Sequence, residues 1–263
     1  MSPKSSHIIQ ISAKVLGSDR EQYFSEYILP PVQVPSKIEK LTGITNVFLQ
    51  SGGLDKVTGY YHNGPANDFQ EVYRRFIKFC RHASCCSSHD GNEKELEQGV
   101  PGINENQTSG LNPSKSKCKS KNQKDIILLA HNAPFDLRML NSEIKRLASA
   151  VRKSGTSGMK VPLLSRDTGI TGSIDTLSLL KSKKLWAGQE KSYKYPDSFS
   201  LSSLYTHLFG KEIEQSHNAL TDVLALEEIL LSSELKDWKE VAKPLYVCFE
   251  LPTKVEHLDI NKQ

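Results

Sequence analysis

The chain has 263 residues, 37% of them hydrophobic and 24% charged, which suits one large domain, or one domain with a sizeable insertion, holding a packed core. A formal net charge of +4 is compatible with a phosphate-bearing partner but does not specify one. No run of 18 apolar residues exists, MSPKSSHIIQ has none of the regions of a secretory signal, and the five cysteines are an odd number without framework spacing; these exclude a membrane span and point to a reduced, intracellular protein, nuclear or cytoplasmic.

In chain order, HIIQISAKVL (7–16) is rich in branched residues and reads as a strand, GSDRE as a turn and QYFSEYIL (22–29) as the returning strand of a hairpin. Pro30 and Pro31 stop it. Pro35-Ser36-x-x-Glu39 has the form of a capping box, which predicts a short helix over 37–41 ending near Gly43. Asp68-x-x-Glu71 repeats that signal, and behind it FQEVYRRFIKFC places Phe69, Val72, Phe76 and Phe79 on one helical face. Residues 84–124 are rich in Ser, Asn, Gly, Gln and Lys, which predicts a disordered insertion. Its lysines 115, 117, 119, 121 and 124 read as a solvated linker in preference to a nucleic-acid or importer site. DIILLAHN (125–132) reads as a buried strand, and Pro134 opens the helix FDLRMLNSEIKRLASAV. Residues 152–172 form a Gly/Ser-rich loop. SIDTLSLLKS reads as a strand end running into a helix capped by Asp175 or Thr176, SLSSLYTHLFG as a helix closed by Gly210, and NALTDVLALEEILL (218–231) as the last clear helix. The predicted domain is 1–235 with a 236–263 tail, an α/β sheet with an antiparallel part.

Three residues carry the chemistry. Asp222 lies three, four and seven positions from Ala219, Leu226 and Ile229, at the edge of the last helix's apolar stripe. A carboxylate there needs a cation, a donor or the helix dipole. His217, five residues earlier, stands outside the helical face, and an imidazole beside a half-buried acid suits proton removal from water. Asp136 falls in the first turn after a buried strand, where open α/β sheets place ligands.

LLAHNAPFDLRML resembles the second motif of the DEDDh 3′–5′ exonucleases, a ribonuclease H-like family that includes polymerase proofreading subunits and three-prime repair exonucleases. SHNALTDVLAL resembles the third, with its His and Asp five apart. SIDTLSL and SLSSLYTHLFG are similar to the connecting segments, and LTGIT (41–45) to the loop that borders the substrate groove. The resemblance spans about 7–231. It implies a ribonuclease H-like mixed sheet flanked by helices and a two-metal site for Mg²⁺ or Mn²⁺. It makes Asp136 and Asp222 metal ligands, His217 the general base, and Leu41, Thr42, Gly43, Ile44, His131, Asn132 and Phe135 substrate-side residues, with Phe135 also readable as core. The implied partner is a single-stranded nucleic-acid 3′ end, DNA or RNA.

The family's first motif, Asp-x-Glu-Thr at the end of its first strand, has no counterpart in register. SPKSS is similar to the family's loop just after that motif, so the resemblance predicts a missing first strand, an incomplete metal site and an inactive chain as written, with Met1 an internal methionine, an alternative start or the edge of an incomplete gene model. Asp19-x-Glu21 has the literal pattern but sits at the far end of strand 7–16, about 30 Å away, and reads as an exposed turn. Cys80, His82, Cys85, Cys86 and His89 crowd together without the spacing of a zinc site. The alternative reading is a non-catalytic module that binds nucleic acid or protein. Oligomeric state is not legible.

Overall fold

The computed structural model describes residues 6–18, 22–85, 125–155, 161–162, 164–186, 195–235 and 237–249. The predicted hairpin is present as β1 (Gln10–Lys14) and β2 (Tyr23–Tyr27), antiparallel with Gln10 opposite Tyr27. The Asp19 and Glu21 turn lies outside the described residues. So does the 84–124 insertion from residue 86 onward, with its lysines; Cys86 and His89 go with it.

The short helix forms as α1 (Ser36–Thr42), closed by Gly43 in the left-handed conformation. The capping box does not form. Pro35 is the N-cap without a side-chain bond, and the Glu39 carboxylate instead accepts from the backbone and side-chain nitrogens of Asn46. That bond joins α1 to a helix that local sequence pattern does not signal, α2 (Asn46–Ser51), capped by Thr45. Next comes a small hairpin, β3 (Gly52–Leu54) with β4 (Tyr61–Asn63). Gly52, at φ +77°, packs so close to the His62 carbonyl that a Cβ would lie 2.1 Å from its oxygen, so only glycine fits.

α3 (Phe69–Cys85) starts where expected, with the Asp68 carboxylate accepting from the Glu71 N–H. It runs longer than expected, and Ser84 is buried in it. Val72, Phe76, Tyr73, Ile77 and Cys80 are buried against Phe24 of β2 and against Ile144, Leu164 and Ile170 farther along the chain. Cys80 is thus a core residue, with its thiol pushed up to about 12 by burial, and is not offered to zinc.

β5 (Ile126–Ala130) leads into α4 (Ala133–Lys153). β5 is half-buried, with Ile127 exposed, rather than fully buried as expected, because only one strand flanks it among the described residues. The expected 152–172 loop contains the end of α4 and α5 (Leu164–Thr168), and β6 (Ile170–Asp175) begins inside it. β5 and β6 are parallel, with Ala130 level with Asp175. After β6 come α6 (Thr176–Leu180), α7 (Lys183–Trp186), α8 (Leu201–Phe209) and α9 (Ala219–Leu230). The chain does not end its packing at 235. α10 (Trp238–Ala242) buries Trp238 and Ala242 in the core around Leu179, Leu204 and Ile229, and β7 (Val247–Cys248) pairs antiparallel with β6.

The architecture is mixed α/β. Among the described residues the strands form separate sheets, β1–β2, β3–β4 and β5–β6–β7, so β1 and β5 each have one free edge. Side chains of both larger sheets meet in one core with α3 and α4. No described helix is long and apolar enough to cross a membrane.

Candidate active site at two helix N-termini

α9 is fixed to the β1–β2 hairpin at both ends. Buried Asn218 caps it by accepting from the Leu220 N–H, takes a bond from the Gln10 amide, and donates to the Tyr27 hydroxyl. Gln10 also accepts from the Ala219 N–H. Near the other end Glu227 accepts from the Lys14 ammonium at 2.8 Å and from the Gly17 N–H. Asp222 is therefore held in the first turn of a well-anchored helix. Burial raises its pKa, opposed by the His217 N–H bond at 3.2 Å and by the His217 and His131 rings.

His217 is exposed and sits at φ +71°; Gln215, two residues earlier, is at +52°. Asn132, at +73°, is the third non-glycine residue with positive φ among the described residues. Gln215 and His217 lead into α9 and Asn132 into α4, and such backbone costs stability unless the surroundings enforce it. Gln215 is tied by its amide to the Lys56 carbonyl in the β3–β4 turn.

The opposite wall is the carboxyl end of β5 and β6. Asp175, which the sequence offered as a helix cap, does more. Its carboxylate accepts from the N–H groups of Asn132, Ala133 and Leu177 and from the Ser178 hydroxyl, so it clamps α4 and α6 together. Burial would raise its pKa, but those bonds outweigh it and hold it below the usual value. His131 is a second clamp. Its Nε2 donates to the Phe199 carbonyl at 2.8 Å and its Nδ1 lies 3.3 Å from the Thr176 hydroxyl. Burial lowers its pKa, which leaves a neutral ring with both nitrogens engaged.

Asp136 stands in the first turn of α4. It keeps an open face to solvent, yet the protein crowding its carboxyl pushes its pKa up to about 6, with the Asp175 charge adding and its own N–H opposing. Asp175 thus acts on Asp136, and both Asp175 and Asp222 act on His131, so the two candidate ligands are linked through Asp175 and His131.

Phe135 is half-buried and Asn132 exposed at the rim. LTGIT lies to the side: Leu41 is exposed, Thr42 bonds the Ile38 carbonyl, and Ile44 is buried with Tyr27, the tyrosine that holds the α9 cap. The residues fit a hard divalent cation in part. Asp136 and Asp222 make no ion pair with lysine or arginine among the described residues, while Asp175 is engaged by its four donors. Among the described residues no three acids, histidines or cysteines converge in metal-holding geometry.

Comparison with protein-family models gives no match, and comparison with curated proteins gives none either.

Proposed function

We propose that this chain is the body of a metal-dependent 3′–5′ exonuclease with a ribonuclease H-like arrangement, acting on single-stranded 3′ ends. One observation carries the reading: two carboxyls with raised pKa, Asp136 and Asp222, stand in the first turns of α4 and α9, linked through Asp175 and His131, with exposed His217 bonded through its backbone to Asp222. Asp136 and Asp222 would hold Mg²⁺ or Mn²⁺, which when bound supplies water of lowered pKa and charge at the leaving oxygen. His217 takes the proton from the attacking water at its imidazole nitrogen. His131 and Asp175 keep α4, α6 and the α8 entry in place beneath the acids. The second reading is a non-catalytic nucleic-acid- or protein-binding module. It is favoured by one fact, that the described residues bring only two free acids to the centre.

Mn²⁺ titration of the ¹⁵N-labelled chain tests the metal centre. Paramagnetic broadening should start at the amides around Asp136 and Asp222 and disappear in Asp136→Asn/Asp222→Asn. Broadening centred elsewhere, or unchanged in that variant, sinks the catalytic reading.

A further inference from the structure

A second recess, of about 230 Å³, opens at the free edge of β2, lined by Ser25, Tyr27, Phe48, His62, Asn63 and Asn67 among others. The β1–β2 register and the Ile28 N–H bond to Ile9 show that Phe24, Glu26 and Ile28 turn their backbone groups toward β1. By alternation, Ser25 and Tyr27 turn theirs away, into the recess. The Ser25 carbonyl and the Tyr27 N–H thus form an acceptor and a donor side by side, with no partner among the described residues. Unpaired backbone groups in a concave site call for a ligand that satisfies both.

The walls say what kind. The rings of Tyr27, Phe48 and His62 meet edge-on, with centroids 4.8–5.7 Å apart. They offer π-faces and edges to a flat heterocycle. The recess cannot take a long extended peptide, because the chain at Asn67 already pairs with this edge, accepting from the Leu29 N–H, and closes it at that end.

We propose that this recess binds an adenine-type base. Adenine carries an N6–H donor next to an acceptor ring nitrogen, the complement of Ser25 C=O beside Tyr27 N–H. A purine without the 6-amino group keeps the ring acceptor but lacks the donor, and leaves the Ser25 carbonyl unpaired. The proposal rests on the nucleic-acid reading only for the source of the base, a free nucleotide or an unpaired adenine in a strand. Asn218 links this wall to the other site through the Tyr27 hydroxyl, while the two sites use different groups.

The experiment titrates the ¹⁵N-labelled full chain with AMP in EDTA. The Tyr27 amide should shift saturably, and purine riboside 5′-monophosphate, which lacks the amino group, should bind at least tenfold more weakly. Phe48→Ala should lose at least tenfold. Asn63→Trp should do the same by filling the recess from an exposed position, which keeps the test alive if Phe48→Ala misfolds. Asp222→Asn should leave AMP affinity unchanged. Tighter binding of oligo(dA) than of AMP, with the same sensitivity to Asn63→Trp, marks a strand as the source; AMP alone marks free nucleotide. Equal affinity for AMP and purine riboside 5′-monophosphate, an unmoved Tyr27 amide, or full binding in Asn63→Trp overturns the proposal, as does saturation by extended peptides with none by AMP. AMP binding without Mn²⁺ broadening at Asp136 and Asp222 removes the exonuclease reading and keeps the recess; that broadening without AMP binding does the reverse.

Discussion

At the scale of single residues, Asp136 has a testable pH signature. Its pKa is about 6 in the folded chain against an ordinary 3.8, so between those values the folded state binds the proton that the unfolded state has released. Stability therefore falls as pH rises through that window; the penalty is absent below about 3.8 and complete above about 6. Because the side chain has an open face, solvent screening cuts the effect to on the order of 1 kcal/mol. Asp136→Asn should stabilise the chain by about that much at pH 7.5 and by nothing near pH 3.8, measured by denaturant unfolding at both; an equal effect at the two would show that the Asp136 carboxyl does not titrate in this window. His217 offers a second check. A non-glycine residue at φ +71° costs on the order of 1 kcal/mol, part of which glycine recovers. His217→Gly should hold or raise the melting temperature while removing the imidazole. In a form of the chain that shows the proposed nuclease activity it should lower the turnover rate and leave Mn²⁺ broadening at Asp222 intact. Unchanged turnover would exclude His217 as the base.

At the scale of elements, α9 depends on an ion pair whose ammonium is almost wholly buried: Lys14 is 2% exposed and Glu227 14%. Glu227→Ala leaves that cation without its carboxylate and should cost about 3–5 kcal/mol. Lys14→Met with Glu227→Leu should recover most of the loss, because no charge is then stranded; a double variant as unstable as Glu227→Ala would show that packing, not charge, governs the joint. This joint also shows what could be read in advance. The helix 218–231 and its Asp222 were legible because apolar spacing within one helix is local. The same holds for α3 and for the helix closed by Gly43. The roles of Lys14, Gln10 and Glu227 were not legible, since their partners lie about 210 positions away. The capping box at Ser36 failed for a related reason: Asn46 competed for Glu39, and a four-residue pattern contains no trace of that partner. In the same way Asp175 was legible as a cap of α6, but not as the acid that holds the start of α4.

At the scale of the whole molecule, two boundaries matter. The first is the start of the insertion. Ser84 is buried in α3, so removing 84–124 should destabilise the chain, whereas removing 87–123 and joining the ends with a short Gly/Ser linker should change the melting temperature little. A large loss from the shorter deletion would show that the segment packs on the domain. The second is the seam between the sheets. β1 and β5 each present a free edge among the described residues, yet Ile8, Ile11 and Ala13 on one side and Ile126 and Leu128 on the other pack into one core. Free edges leave backbone donors and acceptors unpaired, and a strand placed between them would satisfy both rows. On the proposed exonuclease reading a strand would lie in that place, with Asp-x-Glu at its end beside Asp136 and Asp222. Each large side chain it buries contributes about 1.5–3 kcal/mol, so a few of them rival the ~5–15 kcal/mol that holds an ordinary domain together. Adding a five- or six-residue Val/Ile-rich strand ending in Asp-x-Glu ahead of Ser2 should therefore do two things at once. It should raise the melting temperature by well over 5 °C, and it should bring Mg²⁺- or Mn²⁺-dependent release of mononucleotides from 3′ ends, abolished by Asp136→Ala or Asp222→Ala. The same strand ending in Asn-x-Gln should keep the stability and lack the activity. Metal-dependent 3′ hydrolysis by the unextended chain would show that two further acids already lie within it, and would overturn the assignment of the seam.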